Sequence, residues 1–331
     1  MDISIIICTY NPEQRIFERC LIAIKNLVKR EILAEVIIVD NNSTIPVSSL
    51  GYVSVLLPEI PNCKVIIERE QGLAHARMAG FKNSLGKLIV FFDDDNEPYK
   101  DYIIEAKNIH DNRNFIGIMG PGNINVEYMD NVDPYIKRHF NRLFQGKKAE
   151  REEYIFSVME WAPWYPPGTG QVMKRIVFEA YLDNFFRKGL KTLDRKGQNL
   201  SSAGDSQIIW SSLNLNYAVG HHPKLKLNHL IPFKRANLTY LKRLNYHLAL
   251  SGAVAFVEMY PEKGVLIPKY SASVFLYKVF KIYFNGLISK QSKGINVNIA
   301  SLVGHSEAGI IIHQSKMPFL IKFFKKIYKI N

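Results

Sequence analysis

An α/β fold carried by a mostly parallel sheet is what this sequence predicts, on three observations. Apolar, β-branched runs of strand length recur at residues 4–9, 35–39, 64–68 and 88–92. Helical periodicity fills the interval at residues 13–30, and a short helix rich in small residues the one at 72–84. Three of the apolar runs, at 4–9, 35–39 and 88–92, break abruptly into polar residues, and in parallel sheets ligands bind outside the carboxyl ends of strands.

In chain order, residues 4–9 form a buried strand that stops at Tyr10-Asn11-Pro12. Ile16, Cys20, Leu21, Ile24, Leu27 and Val28 then recur at three- to four-residue spacing, an amphipathic helix. The second strand ends in Asp40-Asn41-Asn42-Ser43-Thr44, and the third occupies 64–68. The helix at 72–84 is rich in small residues, with Ala74, Ala76, Ala79 and Gly80. The fourth strand runs into Asp93-Asp94-Asp95-Asn96-Glu97-Pro98. Carboxylates this close repel one another and are comfortable with a cation among them, and hard oxygen ligands suit Mg²⁺ or Mn²⁺. The plain alternative is a solvated acidic turn capping the helix at 99–110. Thr9, Tyr10 and Asn11, the 40–43 loop and Asp93 to Asp95 are expected to line one crevice.

Further on the pattern loosens. Residues 117–122 read as a strand running into a turn, and 141–154 as a charged, mobile connection. Residues 161–170 form an aromatic loop stiffened by Pro and Gly, suited to stacking on a sugar face or to anchoring the loop by packing. Residues 171–181 read as strand and helix. A second polar cluster follows at 190–230. Asp205 precedes a helix at 207–213 and fits its N-cap, while His221, His222 and His229 are structural or functional histidines. His229 becomes a metal ligand if it faces the aspartates.

The 331 residues carry 47% hydrophobic and 22% charged side chains, a globular profile. Cys8, Cys20 and Cys63 have no metal spacing and no even count, which fits a reducing, cytoplasmic setting. The N-terminal apolar run lacks a basic region and a cleavage site, and no stretch is uninterruptedly apolar over the roughly 18 residues of a membrane span. Ten of the net +13 charges lie in residues 241–331, where thirteen Lys/Arg face three Glu. An anionic membrane surface is the partner this implies; no nucleic-acid recognition motif accompanies it. Residues 318–330 place Phe319, Leu320, Phe323, Phe324, Ile327 and Tyr328 on one helical stripe and Lys322, Lys325, Lys326 and Lys329 on the other. Such a helix lies in a membrane surface, or else docks its apolar face on the domain.

These segments together resemble the family 2 glycosyltransferases of bacterial surface-polysaccharide type, with the GT-A fold. The resemblance covers residues 3–245 and rests on Ser4 to Asn11, Ile37 to Thr44, Glu70 to Gly80, Phe92-Asp93-Asp94-Asp95, and Asp194 to Gly197 through Gly204-Asp205 with His229 to Pro232 after it. It implies a catalytic domain over 1–240, with a nucleotide-binding half at 1–115 and an acceptor half at 116–240, then a basic helical extension at 241–331. It implies that Thr9, Tyr10, Asn11 and Asp40 hold the nucleotide base, Arg77 supports the site, and Asp93 and Asp94 contact the nucleotide. Asp95 and His229 would hold a divalent cation, Mg²⁺ or Mn²⁺, and Asp205 would act as general base. The expected donor is a nucleotide-sugar, a UDP-sugar first, and the acceptor a glycan or lipid-linked glycan, one sugar being moved with inversion at the inner face of the membrane. Two departures stand out: Ala203-Gly204-Asp205 lacks the glutamate usual before the base, and Gln207-Ile208-Ile209-Trp210 has isoleucine where processive synthases carry arginine. The missing glutamate motivates the alternative of a catalytically silent, membrane-bound scaffold subunit.

Overall fold

The computed structural model describes residues 1–159, 161–192, 194–197, 199–289 and 292–330. Leu193 and Gln198, within the stretch expected to hold the base, lie outside them, as do Glu160, Lys290, Gln291 and Asn331. The chain divides into two compact units. The first comprises Met1–Met129, Phe144–Arg187 and Ile208–Ile231, the second Asp130–Leu143, Lys188–Gln207 and Pro232–Asn331.

The first unit is a mixed α/β layer. In chain order its elements are β1 (Ile3–Thr9), α1 (Gln14–Lys25), β2 (Ala34–Asp40), α2 (Gly51–Leu56), β3 (Cys63–Ile67), α3 (Leu73–Lys82), β4 (Leu88–Asp93), β5 (Asn96–Pro98), α4 (Tyr102–Asn112) and β6 (Ile116–Tyr128). A short helix, α5 (Pro134–His139), follows in the second unit. The first unit resumes with β7 (Lys147–Lys148), β8 (Glu153–Ile155), β9 (Gln171–Lys174) and α6 (Arg175–Lys188). Then α7 (Gly204–Asn214), whose first residues belong to the second unit, leads into β10 (Ala218–Ile231).

The strands form one ten-stranded sheet in the order β3-β2-β1-β4-β9-β6-β10-β5, with β7 on β6 and β8 on β10. β3, β2, β1 and β4 run parallel, as do β6 and β10, while β9 is antiparallel to both its neighbours. This is the mostly parallel sheet flanked by helices that the sequence implies, in GT-A form. Ile3, Ile5, Ile7, Val36, Ile38, Val90 and Phe92 are fully buried on one face against Phe17, Leu21, Ile24 and Ile103. A strand buried on both faces reads as a continuous apolar run, which is why β1, β2 and β4 were visible in the sequence.

Two expectations fail, both for local reasons. Residues 117–122 do not end in a turn; β6 runs thirteen residues through them. The glycines there serve close approach: a Cβ on Gly120 would lie 2.4 Å from Pro166, and one on Gly122 would lie 2.7 Å from the His222 carbonyl carbon. The 141–154 connection is held rather than loose. It contributes β7 and the start of β8, buries Phe144, and ties Arg113 to Glu152 at 2.9 Å and Lys147 to His221 Nδ1 at 2.8 Å.

The second unit is helical. Its long elements are α8 (Leu238–Met259), α9 (Ala272–Ile288), α10 (Ile295–Ile312) and α11 (Phe319–Tyr328). α10 is its centre, with Ile299, Ala300 and Val303 fully buried among Tyr246, Phe275 and Ile321. Residues Ser292–Ile312 have the length and apolarity of a membrane span, but 61% of that window is buried inside the structure. Glu307 on α10 accepts from Tyr246 Oη at 2.7 Å and pairs with Lys325 at 2.8 Å, the satisfied state of a core helix.

Candidate active site

At the carboxyl edge of the sheet, β1, β2 and β4 end level, since Thr9 pairs with Asp40 and Cys8 with Asp93. The loops after them are stitched together by short hydrogen bonds. The Asn41 amide donates to the Thr9 carbonyl at 2.9 Å, the Asn11 amide to Ser43 Oγ at 2.9 Å, and the Thr44 amide to Asn11 Oδ1 at 2.8 Å. Asn11 takes the left-handed conformation, φ 47°, which asparagine tolerates because its side chain can bond locally. Tyr10 stands 47% exposed at this edge, an aromatic face open to solvent.

Asp40 is 2% exposed, and its two oxygens accept from the amides of Ser43 and Val47 at 2.9 and 2.8 Å. Its first effect is to shape its own loop, leaving the remaining lone pairs for a ligand. Asn41, which sequence reading passed over as a loop polar residue, is the tighter fastener. Its Nδ2 donates to the carbonyls of Glu68 and Glu70 at 3.2 and 2.8 Å, and its Oδ1 accepts from the Gly72 amide at 2.7 Å. It ties the β2 loop to the entry of α3. On that helix Arg77 is 4% exposed and lies over the Phe91 ring at 5.5 Å.

The three consecutive carboxylates are sent to three different elements. Asp93 Oδ2 accepts from Thr169 Oγ1 at 2.9 Å, at the end of the aromatic loop. Asp94 Oδ2 accepts from Thr9 Oγ1 at 2.6 Å, at the end of β1. Asp95 Oδ1 accepts from Asn96 Nδ2 at 2.9 Å, and its Oδ2 faces His229 Nε2 at 3.3 Å. Separation onto different donors is how adjacent negative charges coexist here. Their field is felt beneath: burial first, then Asp94 and Asp95, push the Cys20 thiol well above its usual range. Burial and then Asp94 push the Tyr52 hydroxyl up to about 12, and that buried oxygen has no hydrogen-bond partner.

His229 reaches Asp95 through the sheet. β5 pairs with β10 so that Asn96 lies opposite His229, and the Leu230 amide donates to the Asp95 carbonyl at 2.9 Å. The imidazole is 2% exposed. Its Nδ1 lies 2.9 Å from the Phe144 carbonyl, which can only accept, so Nδ1 carries the proton. In the neutral imidazole the lone pair then sits on Nε2, a buried atom without a hydrogen-bond partner. An imidazole oriented by a backbone carbonyl behind it, with Nε2 and a carboxylate oxygen converging, is a pair of donors able to contribute to a cation's shell. Among the described residues no group of three or more His, Cys, Asp or Glu side chains could hold a metal unaided.

Arg19, also missed in the sequence, braces the same turn from α1. It makes two-pronged contacts to Glu97 at 2.6 and 2.7 Å and to Glu127 at 2.6 and 2.9 Å. Gly170, with φ +71°, closes the aromatic loop; its carbonyl accepts from Tyr102 Oη at 2.6 Å, where a Cβ would collide with that oxygen. Beyond the carboxylates, Lys147 Nζ donates to His221 Nδ1, and His221 Nε2 lies 3.5 Å from Glu153. Burial lowers Lys147 to about 8; burial and then Lys147 lower His221 to about 4. A cavity of about 690 Å³ lined by Asp2, His110, Lys174 and Glu179 lies at the amino-terminal edge, away from these groups.

Of the residues expected from the sequence, Thr9, Tyr10, Asn11, Asp40, Arg77, Asp93, Asp94, Asp95 and His229 all belong to the first unit, where a hydrogen bond joins Thr9 to Asp94 and Asp95 faces His229. Asp205 belongs to the second unit. It lies in the first turn of α7 rather than at its cap, and the preceding Gly204 amide donates to Asp194 Oδ1 at 2.8 Å.

Comparison with known proteins gives three kinds of likeness. A protein of Rickettsia conorii described as an uncharacterized glycosyltransferase is 36% identical over 116 residues, 34% of this chain but 18% of that protein's length. Among solved structures, Staphylococcus aureus TarS 1–349 in complex with UDP-GlcNAc aligns over 96% of this chain and 93% of that one, at 13% identity and a TM-score of 0.46. The mannosyltransferase PcManGT from Pyrobaculum calidifontis, in complex with GDP-Man and Mn²⁺, aligns over 98% and 78% at 15% identity and a TM-score of 0.48. Scores at that level describe general architecture and bear no weight on the site. The sequence pattern of Glycosyl transferase family 2 matches residues 4–177, from the first buried strand past the carboxylate turn to the start of α6. That match spans more than half of the chain and contains all the residues expected from the sequence except Asp205 and His229, so the protein belongs to glycosyl transferase family 2.

Proposed function

We propose that the chain moves one sugar from a nucleotide-sugar donor, a UDP-sugar in the first instance, to a glycan or lipid-linked acceptor in surface-polysaccharide assembly, with inversion at the anomeric carbon. The observation that carries this reading is the meeting of Asp95 Oδ2 and His229 Nε2 at 3.3 Å, with Nε2 unpartnered and its lone pair fixed by the bond from Nδ1 to Phe144. A divalent cation held by this pair would act as a Lewis acid toward the departing diphosphate.

The other roles follow from the chemistry of each group. Tyr10 offers a ring on which a nucleobase stacks, and the loop shaped by Asp40 and Asn41 fixes the height at which it does so. Arg77 adds positive charge beside β4. Asp93 and Asp94 keep lone pairs for ribose hydroxyls while holding Thr169 and Thr9. Asp205 takes the proton of the acceptor hydroxyl as the oxygen attacks the anomeric carbon and the bond to the diphosphate breaks. The basic C-terminal helix brings the enzyme to the inner face of the membrane, where a lipid-linked acceptor resides.

The test is calorimetric titration of UDP and GDP, each with and without Mn²⁺, followed by transfer assays on lipid-linked glycans. Nucleotide binding should require metal and be lost in Asp95→Asn and His229→Ala. Asp205→Asn should bind nucleotide normally and transfer nothing. Metal-independent binding with activity intact in Asp95→Asn would remove the cation from the reading. Binding without any transfer in the wild-type protein would leave the scaffold alternative.

A further inference from the structure

We propose that the outward face of α9, with α11 beside it, inserts into an anionic lipid leaflet. This deepens the membrane-surface part of the reading above, but it stands on residues other than the terminal lysine stripe. α9 is apolar nearly all round and buries only one narrow row, Phe275 and Val279, against the rest of its unit. Its other side presents Leu276, Tyr277, Phe280, Phe284, Leu287 and Ile288, each 48 to 67% exposed. At about 3.6 residues per turn these six fill one continuous arc roughly 120° wide. The Phe280 and Phe284 rings stack on that outer side with centroids 6.0 Å apart. A helix whose free side is as apolar as its buried side is not a finished surface for water.

α11 extends the same surface. The apolar stripe read from the sequence splits in the structure: Ile321 and Tyr328 turn inward, while Phe319, Phe323 and Ile327 remain 80, 45 and 55% exposed. The two helices touch. Phe275 meets Phe324 edge-on at 5.1 Å, and the hydroxyls of Tyr283 and Tyr328 lie 3.0 Å apart. The exposed rows of α9 and α11 therefore belong to neighbouring helices. Exposed Lys281, Lys322 and Lys326 lie on the same two helices. Tyrosines and lysines around aliphatic and phenyl groups are what the boundary between acyl chains and headgroups accepts.

Charge identifies the occupant. Residues 263–331 contain eleven lysines and a single acidic side chain, Glu307, which is already bound to Lys325 and Tyr246. A second copy of this chain would bring a surface of the same sign against itself, and like charges facing across an interface repel. A leaflet bearing anionic headgroups meets both the apolar arc and the lysines around it.

Full-length protein is sedimented with phosphatidylcholine vesicles and with vesicles also containing phosphatidylglycerol, at low and moderate salt. The wild-type chain should pellet with the anionic vesicles. The triple variant F280S/F284S/L287S should lose ~tenfold or more of its partitioning while its melting temperature stays level, because the replaced groups are exposed. Lys322→Gln with Lys326→Gln should weaken binding at low salt and make its salt dependence shallower. Wild-type protein that stays in the supernatant, or binding indifferent to the α9 triple variant, would overturn the proposal. So would dimers in the absence of vesicles that the triple variant dissociates, since a second copy would then be the occupant. Metal-dependent nucleotide titration of the same variants is expected unchanged; its failure in the wild-type protein would defeat the transfer reading while leaving the vesicle result to stand alone.

Discussion

The carboxyl edge of the sheet and the α9–α11 surface handle charge and apolar area in opposite ways. At the sheet edge, charge is consumed locally: Asp93 by Thr169, Asp94 by Thr9, Asp40 by two backbone amides, Arg19 by two glutamates. On α9 and α11, aromatic rings and lysines stand uncovered. The first arrangement stores geometry, which chemistry on one bond requires. The second stores free energy of transfer, which a fluid partner can collect without any fixed geometry. The comparison teaches that a charge-rich loop is not by itself a sticky surface; what matters is whether its groups already have partners.

Perturbing each region separately sharpens that contrast. The largest effect is expected at the sheet edge, where Asp95→Asn should lower metal-dependent transfer by ~10²-fold or more, measured as kcat/KM with saturating Mn²⁺. Next, Arg19→Met leaves Glu97 and Glu127 facing each other without their shared cation and should cost about 1.5–3 kcal/mol in urea unfolding. A loss well under that range would mean that the turn is held by β5–β10 pairing alone.

Titration gives a smaller and directional effect. His221 titrates near 4 in the folded protein against 6.5 ordinarily, so between those values the unfolded chain binds a proton that the folded chain refuses. Stability therefore falls as pH drops from 6.5 toward 4. Lys147, lowered from 10.5 to about 8, adds stability as pH rises through that interval, for the same reason. Lys147→Met should flatten the alkaline rise and, by removing a positive neighbour of His221, narrow the acid loss, both read from unfolding curves across pH. The smallest effect on stability belongs to the other region: Phe280→Ser should move unfolding by no more than ~0.5 kcal/mol, because its ring is 66% exposed.

Legibility in the sequence followed periodicity. β1, β2, β4 and α1 were visible because burial on both faces, or along one helical stripe, leaves a pattern. β6 was cut short in the reading because Gly-Pro-Gly signals a turn, whereas here Gly120 and Gly122 answer the close approach of Pro166 and His222, contacts remote in the chain. The Asp93 to Asp95 cluster announced itself; its division among Thr169, Thr9 and His229 did not, since it depends on strand register. Arg19 left no signal and Asn41 showed only as one polar residue of the 40–43 loop, as each acts through partners that are unremarkable residues until the sheet assembles. The outward face of α9 was hidden for the opposite reason: an apolar helix reads as core, and composition does not say which side is covered.

The bond between Asp93 and Thr169 has a consequence for the aromatic loop. Thr169 and Gly170 hang the aromatic loop from the last residue of β4 and from Tyr102, so the loop's resting place is set by the electrostatic state of the strand tip. A ligand that drew on the remaining lone pairs of Asp93 would share that carboxylate with the Thr169 hydroxyl. If Asp93 takes the nucleotide contact proposed for it, filling the strand tip would bear on where the aromatic loop that begins at Trp161 comes to rest.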